Sequence, residues 1–281
     1  MKIGPHEIGA GRCFVIAEAG INHGGHVGRA LMLVAEAARA GADAVKFQTF
    51  RAAELGCTPD IAACELPPTA WPELAARAAE RGLVFLSTPF DCESVDLLDP
   101  LVPAFKIASG EITNEPLLRH VASEGKHVLL STGMANADEV GDAICWLSPE
   151  EDWGSGADLV LLHCVSSYPA PPRETNLRAM KSMGALFSPI SVGLSDHSLG
   201  DEIAIAAVAM GAAVIEKHLT LDRKATGPDH HMSMEWREFA AMVKRIRNVE
   251  AAMGDGIKRC QPSEEAIRAT ARRDPVTGKR P

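Results

Sequence analysis

The sequence predicts a closed (β/α)8 barrel of the TIM type, built as a single domain. Short apolar runs rich in β-branched residues alternate with longer segments of helical spacing, which is the pattern of parallel strands covered by helices. Eight such units can be traced in the 281 residues, and a barrel of this kind typically needs about 250. Glycines that separate helices from the following strands, such as Gly41 and Gly211, support these boundaries.

Each apolar run is predicted to be one barrel strand. The strand ranges, in chain order, are 13–17, 44–47, 84–86, 104–107, 127–130, 158–162, 190–192 and 214–217. Helices are expected at 27–40, at 71–81, after Asp91, from near Asn114, from near Asn136, and at 176–183, 201–210 and 236–253. A doubly wound open sheet is the alternative arrangement of the same elements.

The two ends of the chain do not share the repeating pattern. Residues 1–12 are expected to form a small hairpin over the bottom of the barrel, and 13–257 to form the catalytic barrel. Residues 258–281 are expected to be a polar, poorly packed tail or linker remnant.

Composition excludes several classes of protein. Hydrophobic residues make up 46% and charged residues 23%, which is the balance of a globular protein with a substantial core. A net charge of -9 argues against a nucleic-acid partner, although a few placed cations can still bind a small anion. The sequence contains neither a signal peptide nor an apolar run of about 18 residues, so no membrane association is expected. Seven scattered cysteines without a close pair predict a reducing, cytoplasmic location.

Polar residues follow every one of the eight apolar runs. In a barrel of this type the chemistry is carried where strands end and the following loops begin. The residues at these ends are Glu18, Asn22 and His23; Lys46 and Gln48; Ser87 and Thr88; Lys106, Ser109 and Glu111; Ser131 and Thr132; His163, Ser166, Ser167 and Tyr168; Ser195, Asp196 and His197; and Glu216, Lys217 and His218.

Two groups of these residues predict binding sites. Hydroxyl groups from the third, fourth, fifth and seventh strand ends around Lys106 predict a phosphate site. His197 and His218 end neighbouring strands and, with oxygen ligands, suit Mn²⁺, Fe²⁺, Co²⁺ or Zn²⁺, with Glu18 completing the site directly or through water. The alternatives are that the lysines extend to a rim, the hydroxyls cap helices and the histidines bond locally. The polar run 227–233 is expected to be a substrate-facing lid.

Nine ordered motifs resemble the sialic acid synthase family. They are IAEAGINHGG (16–25), AVKFQTF (44–50), FLSTPFD (85–91), FKIASGEITN (105–114), LLSTGMA (129–135), LLHCVSSYP (161–169), GLSDHS (193–198), EKHLT (216–220) and GPDHHMSM (227–234). The resemblance runs from about residue 12 to 258. The family includes the synthases of N-acetylneuraminate, legionaminic acid and pseudaminic acid, and spore-coat polysaccharide synthases.

The resemblance implies a metal-dependent transferase that forms a carbon–carbon bond. Carbon 3 of phosphoenolpyruvate attacks the aldehyde of an N-acetylated hexose such as N-acetylmannosamine, water adds at carbon 2, and phosphate leaves. The implied ion is Mn²⁺, with Mg²⁺ and Co²⁺ as alternatives.

The resemblance also assigns roles to individual residues. His197 and His218 would bind the metal ion, and Glu18, Glu111 and Lys46 would be catalytic. Glu18 would position or deprotonate water, Glu111 would transfer protons, and Lys46 would lie near phosphoenolpyruvate. Phosphoenolpyruvate would be held by Lys106, Thr88, Ser109, Ser131, Ser166 and Ser195, and the sugar by Gln48, Tyr168 and Asp229.

The sequence departs from the family pattern at its end. Members continue into an antifreeze-like domain that contacts the N-acetyl group, whereas this sequence stops shortly after Arg273. The sugar half of the site is therefore expected to be incomplete in this chain. A homodimer or a separate antifreeze-like protein is the expected partner. The alternatives are a phosphoenolpyruvate-binding barrel without turnover and a synthase that uses a different aldose.

Overall fold

Eight parallel strands form the centre of the computed structural model, which describes residues 1–148 and 159–280. We number these strands β1 to β8 in chain order. Their bounds are Phe14–Gly20, Ala44–Thr49, Val84–Pro89, Ala104–Ile107, His127–Ser131, Leu159–Cys164, Ser191–Asp196 and Val214–Thr220.

The order of the strands closes on itself. Hydrogen-bonded neighbours run β3-β2-β1-β8-β7-β6-β5-β4, so that the first strand pairs with both the second and the eighth. β3 and β4, at the two ends of this order, contact each other without a ladder pair in the described ranges. This cyclic order confirms the predicted (β/α)8 barrel. It excludes the doubly wound sheet, in which β1 would pair with a strand from the middle of the chain.

One main helix follows each strand, and we number these helices α1 to α8. Three of them begin where polar side chains satisfy the free backbone N–H groups of the first turn: Asp91 accepts from Ser94, Asn114 accepts from Leu117, and Asn136 and Glu139 form a capping box. The bounds are Val27–Arg39, Ala70–Glu80, Cys92–Leu98, Glu115–Ser123, Ala137–Leu147, Arg178–Leu186, Glu202–Ala209 and Trp236–Met253.

Two predicted boundaries differ from the structure for identifiable reasons. α6 begins at Arg178 rather than 176, because Asn176 has a left-handed backbone with φ of 44°. β7 runs four residues beyond the predicted end, through Gly193 to Asp196. A Cβ atom on Gly193 would lie 2.5 Å from the carbonyl oxygen of Val214, so this glycine permits close strand contact and does not end the strand. The predicted start of the sixth strand, Asp158, lies outside the described residues.

Short helices occur in two segments where none was expected. Ala52–Leu55 and Pro59–Ala62 lie between β2 and α2, in a proline-containing stretch. Glu265–Ala271 is helical and follows a 3-10 turn at Pro262–Glu264, within the segment predicted to be a tail. The chain divides into two compact units, Met1–Glu250 and Ala251–Pro281. The predicted division at 12 and 257 stays a prediction.

In-and-out alternation along the strands divides the core into two layers. Phe14 and Ile16 of β1 belong to the cluster inside the barrel, whereas Val15 and Ala17 pack between strands and helices. The same alternation directs Glu18 into the barrel at the end where β1 finishes. The strand sequence thus sets which polar side chains can meet at the barrel mouth.

The opposite end of the barrel is closed by the N-terminal hairpin. Lys2–Ile3 pairs antiparallel with His6–Glu7, and Ile3 and Ile8 are buried in the interior cluster. None of the described helices is both long and apolar enough to cross a membrane.

A buried carboxylate joins three segments at this closed end. Asp43 accepts from the backbone N–H of Val15 at 2.9 Å and from Arg12 and Arg247 at 2.7 Å each. It therefore links the start of β1 to the end of the hairpin segment and to α8. It lies at the closed end of the barrel, opposite the strand ends that carry the predicted chemistry, which makes it a useful stability reference.

Replacing Asp43 by Asn is expected to lower the free energy of unfolding by about 2 kcal/mol. Arg12 and Arg247 would lose their charged partner, and the buried hydrogen bond from the backbone N–H of Val15 would lose its carboxylate acceptor. Urea unfolding at pH 7 measures this change. Glu80→Gln, at the exposed Arg77–Glu80 pair, is the control and should change stability by less than about 1 kcal/mol. Equal effects of the two substitutions would contradict the role assigned to Asp43.

Candidate functional site

A cavity of about 380 Å³ opens where the barrel strands end. Thirteen of the fourteen residues predicted to form the site line it. They are Glu18, Lys46, Gln48, Thr88, Lys106, Ser109, Ser131, Ser166, Tyr168, Ser195, His197, His218 and Asp229.

Two lysines and two glutamates lie together on the cavity floor. Lys46 Nζ is 2.8 Å from Glu18 Oε2 and 3.7 Å from Glu216 Oε2, and Lys106 Nζ is 3.7 Å from Glu216 Oε1. All four residues are at most 4% exposed. Charges buried this deeply require partners, and each lysine here has a carboxylate within reach.

Burial and the neighbouring charges perturb these groups in different directions. Burial disfavours the charged form of Lys46, but Glu18 and Glu216 outweigh it and raise its pKa. Burial lowers the pKa of Lys106, because Glu216 offsets it only in part. Burial raises the pKa of Glu18 against the effect of Lys46. The pKa of Glu216 is lowered, since burial is outweighed by Lys106 and Lys46. An incoming anion would favour the charged form of Lys106.

Hydroxyl groups surround the lysines. Lys46 Nζ donates to Thr88 Oγ1 at 3.0 Å, and Ser195 Oγ donates to Glu216 Oε1 at 2.9 Å. Ser131 Oγ is buried and has no hydrogen-bond partner in the described part of the chain, so it is free to bond a ligand.

A glycine allows further hydroxyls to converge. The backbone N–H of Gly133 donates to Ser109 Oγ at 3.0 Å. A Cβ atom on Gly133 would stand 2.8 Å from that same oxygen and would collide with Ser166 Oγ. Only a glycine at this position leaves both serines in place.

His197 and His218 approach each other as predicted, with ring centroids 5.4 Å apart. His197 Nδ1 is 2.8 Å from the carbonyl oxygen of Val165, which identifies Nδ1 as a protonated nitrogen and orients the ring. Burial, reinforced by His197, lowers the pKa of His218 well below its usual value, so this ring is neutral.

The donor set around these rings fits a divalent metal ion. His218 Nδ1 is buried without a hydrogen-bond partner among the described atoms, and Asp229 Oδ2 lies 3.8 Å from it. Two imidazoles, one oriented by a backbone carbonyl, and a nearby carboxylate are the usual ligands of such ions. In the described ranges, three candidate ligand atoms converge within 4.8 Å at a different place, Asp96, His120 and Glu124, on surface helices.

The side of the cavity near β1 carries groups suited to a polyhydroxylated ligand. Gln48 Nε2 donates to Glu18 Oε1 at 3.2 Å. A Cβ atom on Gly20 would lie within 3.6 Å of Glu18, Gln48 and Asp229, so the three side chains share one small space.

Buried hydrogen bonds fix the loop that carries Asp229. Ser233 Oγ donates to the carbonyl oxygen of Asp229 at 2.6 Å, and Asn22 Nδ2 donates to Ser233 Oγ at 3.0 Å. His230 Nδ1 and Thr220 Oγ1 are 2.7 Å apart. The segment predicted to be a lid is thus bonded to the ends of β1 and β8.

Apolar side chains line the outer part of the cavity. Leu55 and Ile61, from the two short helices, join Ile21 and Phe90 in a small cluster of their own. Met134 also lines the cavity, with 74% of its side chain exposed. Sequence reasoning did not assign these residues, since the short helices that carry two of them were not predicted.

Of the predicted site residues, Glu111 lies outside the cavity, whereas Glu216 lines the cavity although no role was predicted for it. Glu111 ends the turn Ser109–Glu111, accepts from Asn114 Nδ2 at 2.7 Å and is absent from the described lining. Its catalytic role stays a prediction. Glu216 joins both lysines to Ser195, and its position two residues before His218 was the signal that it faces inward.

The fold and the cavity define a TIM-barrel enzyme whose hydroxyl-rich floor holds two lysines paired with glutamates, next to a histidine pair. Residues 58–258 match the NeuB family, and this chain belongs to that family.

Individual relatives agree with this assignment. The chain is 44% identical to the N,N'-diacetyllegionaminic acid synthase of Campylobacter jejuni over 90% of this chain and 81% of that protein. It is 34% identical to the N-acetylneuraminate-9-phosphate synthase of Mus musculus over 90% and 75%. The crystal structure of the sialic acid synthetase of Leptospira borgpetersenii with citrate matches with a TM-score of 0.86, 36% identity and 98% coverage of both chains. The chain is therefore an enzyme of the sugar-acid synthase kind.

A buried histidine beyond the lining predicts sensitivity to acid. His23 is fully buried after β1, its Nδ1 accepts from Gly25 N at 3.1 Å, and burial lowers its pKa to about 4. Because the unfolded chain binds this proton near pH 6.5, stability should fall as pH drops from there toward 4. Between pH 7 and pH 5, the free energy of unfolding of His23→Gln should therefore fall by roughly 2 kcal/mol less than that of the wild type. Urea unfolding at the two pH values measures this difference. An unchanged pH dependence in the variant would refute the assignment.

Proposed function

We propose that this enzyme condenses phosphoenolpyruvate with an N-acetylated amino sugar, such as N-acetylmannosamine or a related sugar, to give a nonulosonic acid and phosphate. The observation that carries the proposal is the buried Lys46 and Lys106 pair among hydroxyl groups, next to a histidine pair suited to a metal ion. The names of the relatives, which are synthases of legionaminic and neuraminic acids, support a nonulosonic acid as the product.

Phosphoenolpyruvate matches the polar floor by charge and by hydrogen-bonding capacity. Lys106 and Lys46 would neutralise its phosphate and carboxylate. The hydroxyls of Thr88, Ser131 and Ser195 would donate to its oxygens. The unpartnered Ser131 Oγ is a site that such an anion would satisfy.

The reaction joins the two substrates and consumes one water molecule. Carbon 3 of phosphoenolpyruvate forms a bond to the aldehyde carbon of the open sugar, whose oxygen takes up a proton. Water adds to carbon 2, and the bond between carbon 2 and the phosphate oxygen breaks. Glu18, which is paired with Lys46, would take a proton from that water, since burial raises the pKa of Glu18 toward the range of a general base.

His197 and His218 would hold a divalent metal ion. The proposed ion is Mn²⁺, with Mg²⁺ and Co²⁺ as alternatives. When bound, the ion would polarise the carbonyl oxygen of the sugar. Gln48, Tyr168 and Asp229 would orient the sugar hydroxyls at the same side of the cavity.

The outer cavity favours a sugar without phosphate. Ile21, Leu55 and Ile61 would contact the acetamido methyl group, and no lysine or arginine lies in the described outer lining. The two charged lysines are on the floor, where both already have carboxylate partners.

Release of phosphate tests the proposal directly. The protein is mixed with phosphoenolpyruvate, Mn²⁺ and a panel of N-acetylated amino sugars, and phosphate is measured with and without each sugar. We expect sugar-dependent release that disappears in His197→Ala and in His218→Ala. Phosphoenolpyruvate binding without release for any sugar would favour the alternative, a binding barrel without turnover. Faster phosphate release with a non-acetylated aldose than with any N-acetylated sugar would favour the other alternative, a synthase that uses a different aldose.

Lys106→Met is expected to weaken phosphoenolpyruvate binding by roughly 10- to 100-fold, because a charge-assisted hydrogen bond is lost. Calorimetric titration measures this affinity. The exposed Lys244→Met is the matched control and should bind phosphoenolpyruvate like the wild type. Equal affinities in all three proteins would rule out the lysine floor as the anion site.

N-acetylmannosamine should be used with a kcat/KM more than about tenfold above that of its 6-phosphate, because the outer cavity offers the phosphate apolar contacts and no cation. Steady-state phosphate release measures both values. Ile61→Lys should narrow the difference by adding a cation to the outer wall. A preference of the wild type for the phosphorylated sugar would contradict the assignment of this wall.

A further inference from the structure

A second buried ion pair lies directly behind the two histidines. Lys217 and Asp196 are 1% and 3% exposed, and Lys217 Nζ is 2.7 Å from Asp196 Oδ2. Each residue immediately precedes a histidine, and their Cα atoms are register partners on β7 and β8. Neither side chain lines the cavity, because strand alternation directs them to the outside of the barrel.

The pair is completed by the residue on the other side of His197. Lys217 Nζ donates to the carbonyl oxygen of Ser198 at 2.6 Å. Asp196 Oδ1 accepts from Ser198 N at 2.9 Å and from Ser198 Oγ at 2.6 Å. Asp196 and Ser198, on either side of His197, thus belong to one buried hydrogen-bond network. That network includes Lys217, the neighbour of His218.

We propose that Asp196 and Lys217 are positioning residues that set the separation and orientation of His197 and His218. This inference rests on the proposed metal-binding role of the two histidines. Neither Asp196 nor Lys217 touches the metal ion or the substrates. They act by holding the ends of β7 and β8 in register.

A role in stability alone does not explain this arrangement. An apolar pair of similar volume often replaces a buried ion pair at little cost in stability. Such a pair would lack the three hydrogen bonds that fix Ser198, and with them the path of the backbone through His197.

The same backbone also holds a neighbouring part of the cavity. The carbonyl oxygen of His197 accepts from the N–H of Ala170 at 3.0 Å, and the centroids of the Tyr168 and His197 rings are 4.2 Å apart. Lys46 and Lys106 lie on β2 and β4, so a shift of His197 would alter metal affinity more than the positions of these two lysines.

The test compares metal affinity with folding stability in three variants of the full chain. Asp196→Leu/Lys217→Met replaces the pair by apolar residues, and Asp196→Asn removes one charge while keeping an acceptor for Ser198. Asp43→Asn, at the closed end of the barrel, is the matched control for a lost buried charge pair. Mn²⁺ affinity is measured by titration calorimetry, melting temperature by circular dichroism, and phosphoenolpyruvate affinity in the presence of a chelator.

We expect the double variant to lose 10- to 100-fold in Mn²⁺ affinity, as for other residues that orient metal ligands, with phosphoenolpyruvate affinity changed less than about threefold. Asp196→Asn should lose several-fold in Mn²⁺ affinity. This single variant provides the test if the double variant is too unstable to measure. Asp43→Asn should melt at a lower temperature and bind Mn²⁺ like the wild type.

Two results would overturn the inference and spare the proposed function. One is unchanged Mn²⁺ affinity in Asp196→Asn and in any folded double variant. The other is an equal loss of affinity in Asp43→Asn. A wild-type protein that binds no Mn²⁺ would instead overturn the metal assignment, and the inference with it.

Discussion

The burial of two lysines against two glutamates is the constraint on which the rest of the site depends. Lys46, Lys106, Glu18 and Glu216 come from four different strands and lie almost without solvent at the barrel floor. Such a group is tolerated only where every charge has a partner, so each strand must end at a fixed height. The closed barrel supplies this precision, because neighbouring strands are held in register by their ladders. The proposed anionic substrate would then enter a site whose cations are already in place.

Much of this could be predicted because polar residues inside parallel strands are rarely accidental. The hydrophobic runs fixed where strands lie, and the polar residues at their ends therefore had to gather at one face of the barrel. Lys106, Ser131 and His197 all line the cavity for this reason. The family resemblance suggested the substrates of the proposed reaction, which strand positions alone do not contain.

What could not be predicted depends on contacts between distant segments or on single backbone angles. Glu216 joins both lysines only because three strands meet there, and Glu111 turns to Asn114 instead of the cavity. Gly193 resembles a strand end in sequence, yet it is needed where β7 passes close to β8. The left-handed Asn176 delays its helix by two residues. The outer apolar wall arises from two four-residue helices, which are too short for a periodic pattern to reveal.

The most direct test of the central claim is to follow the fate of carbon 2 of phosphoenolpyruvate. Phosphoenolpyruvate labelled with ¹³C at that carbon is incubated with the enzyme, Mn²⁺ and N-acetylmannosamine, and ¹³C and ³¹P spectra are recorded together. We expect the label in the hemiketal carbon of a nine-carbon sugar acid, in equal amount with free phosphate. Label in pyruvate, or unchanged phosphoenolpyruvate bound to the protein, would contradict this claim.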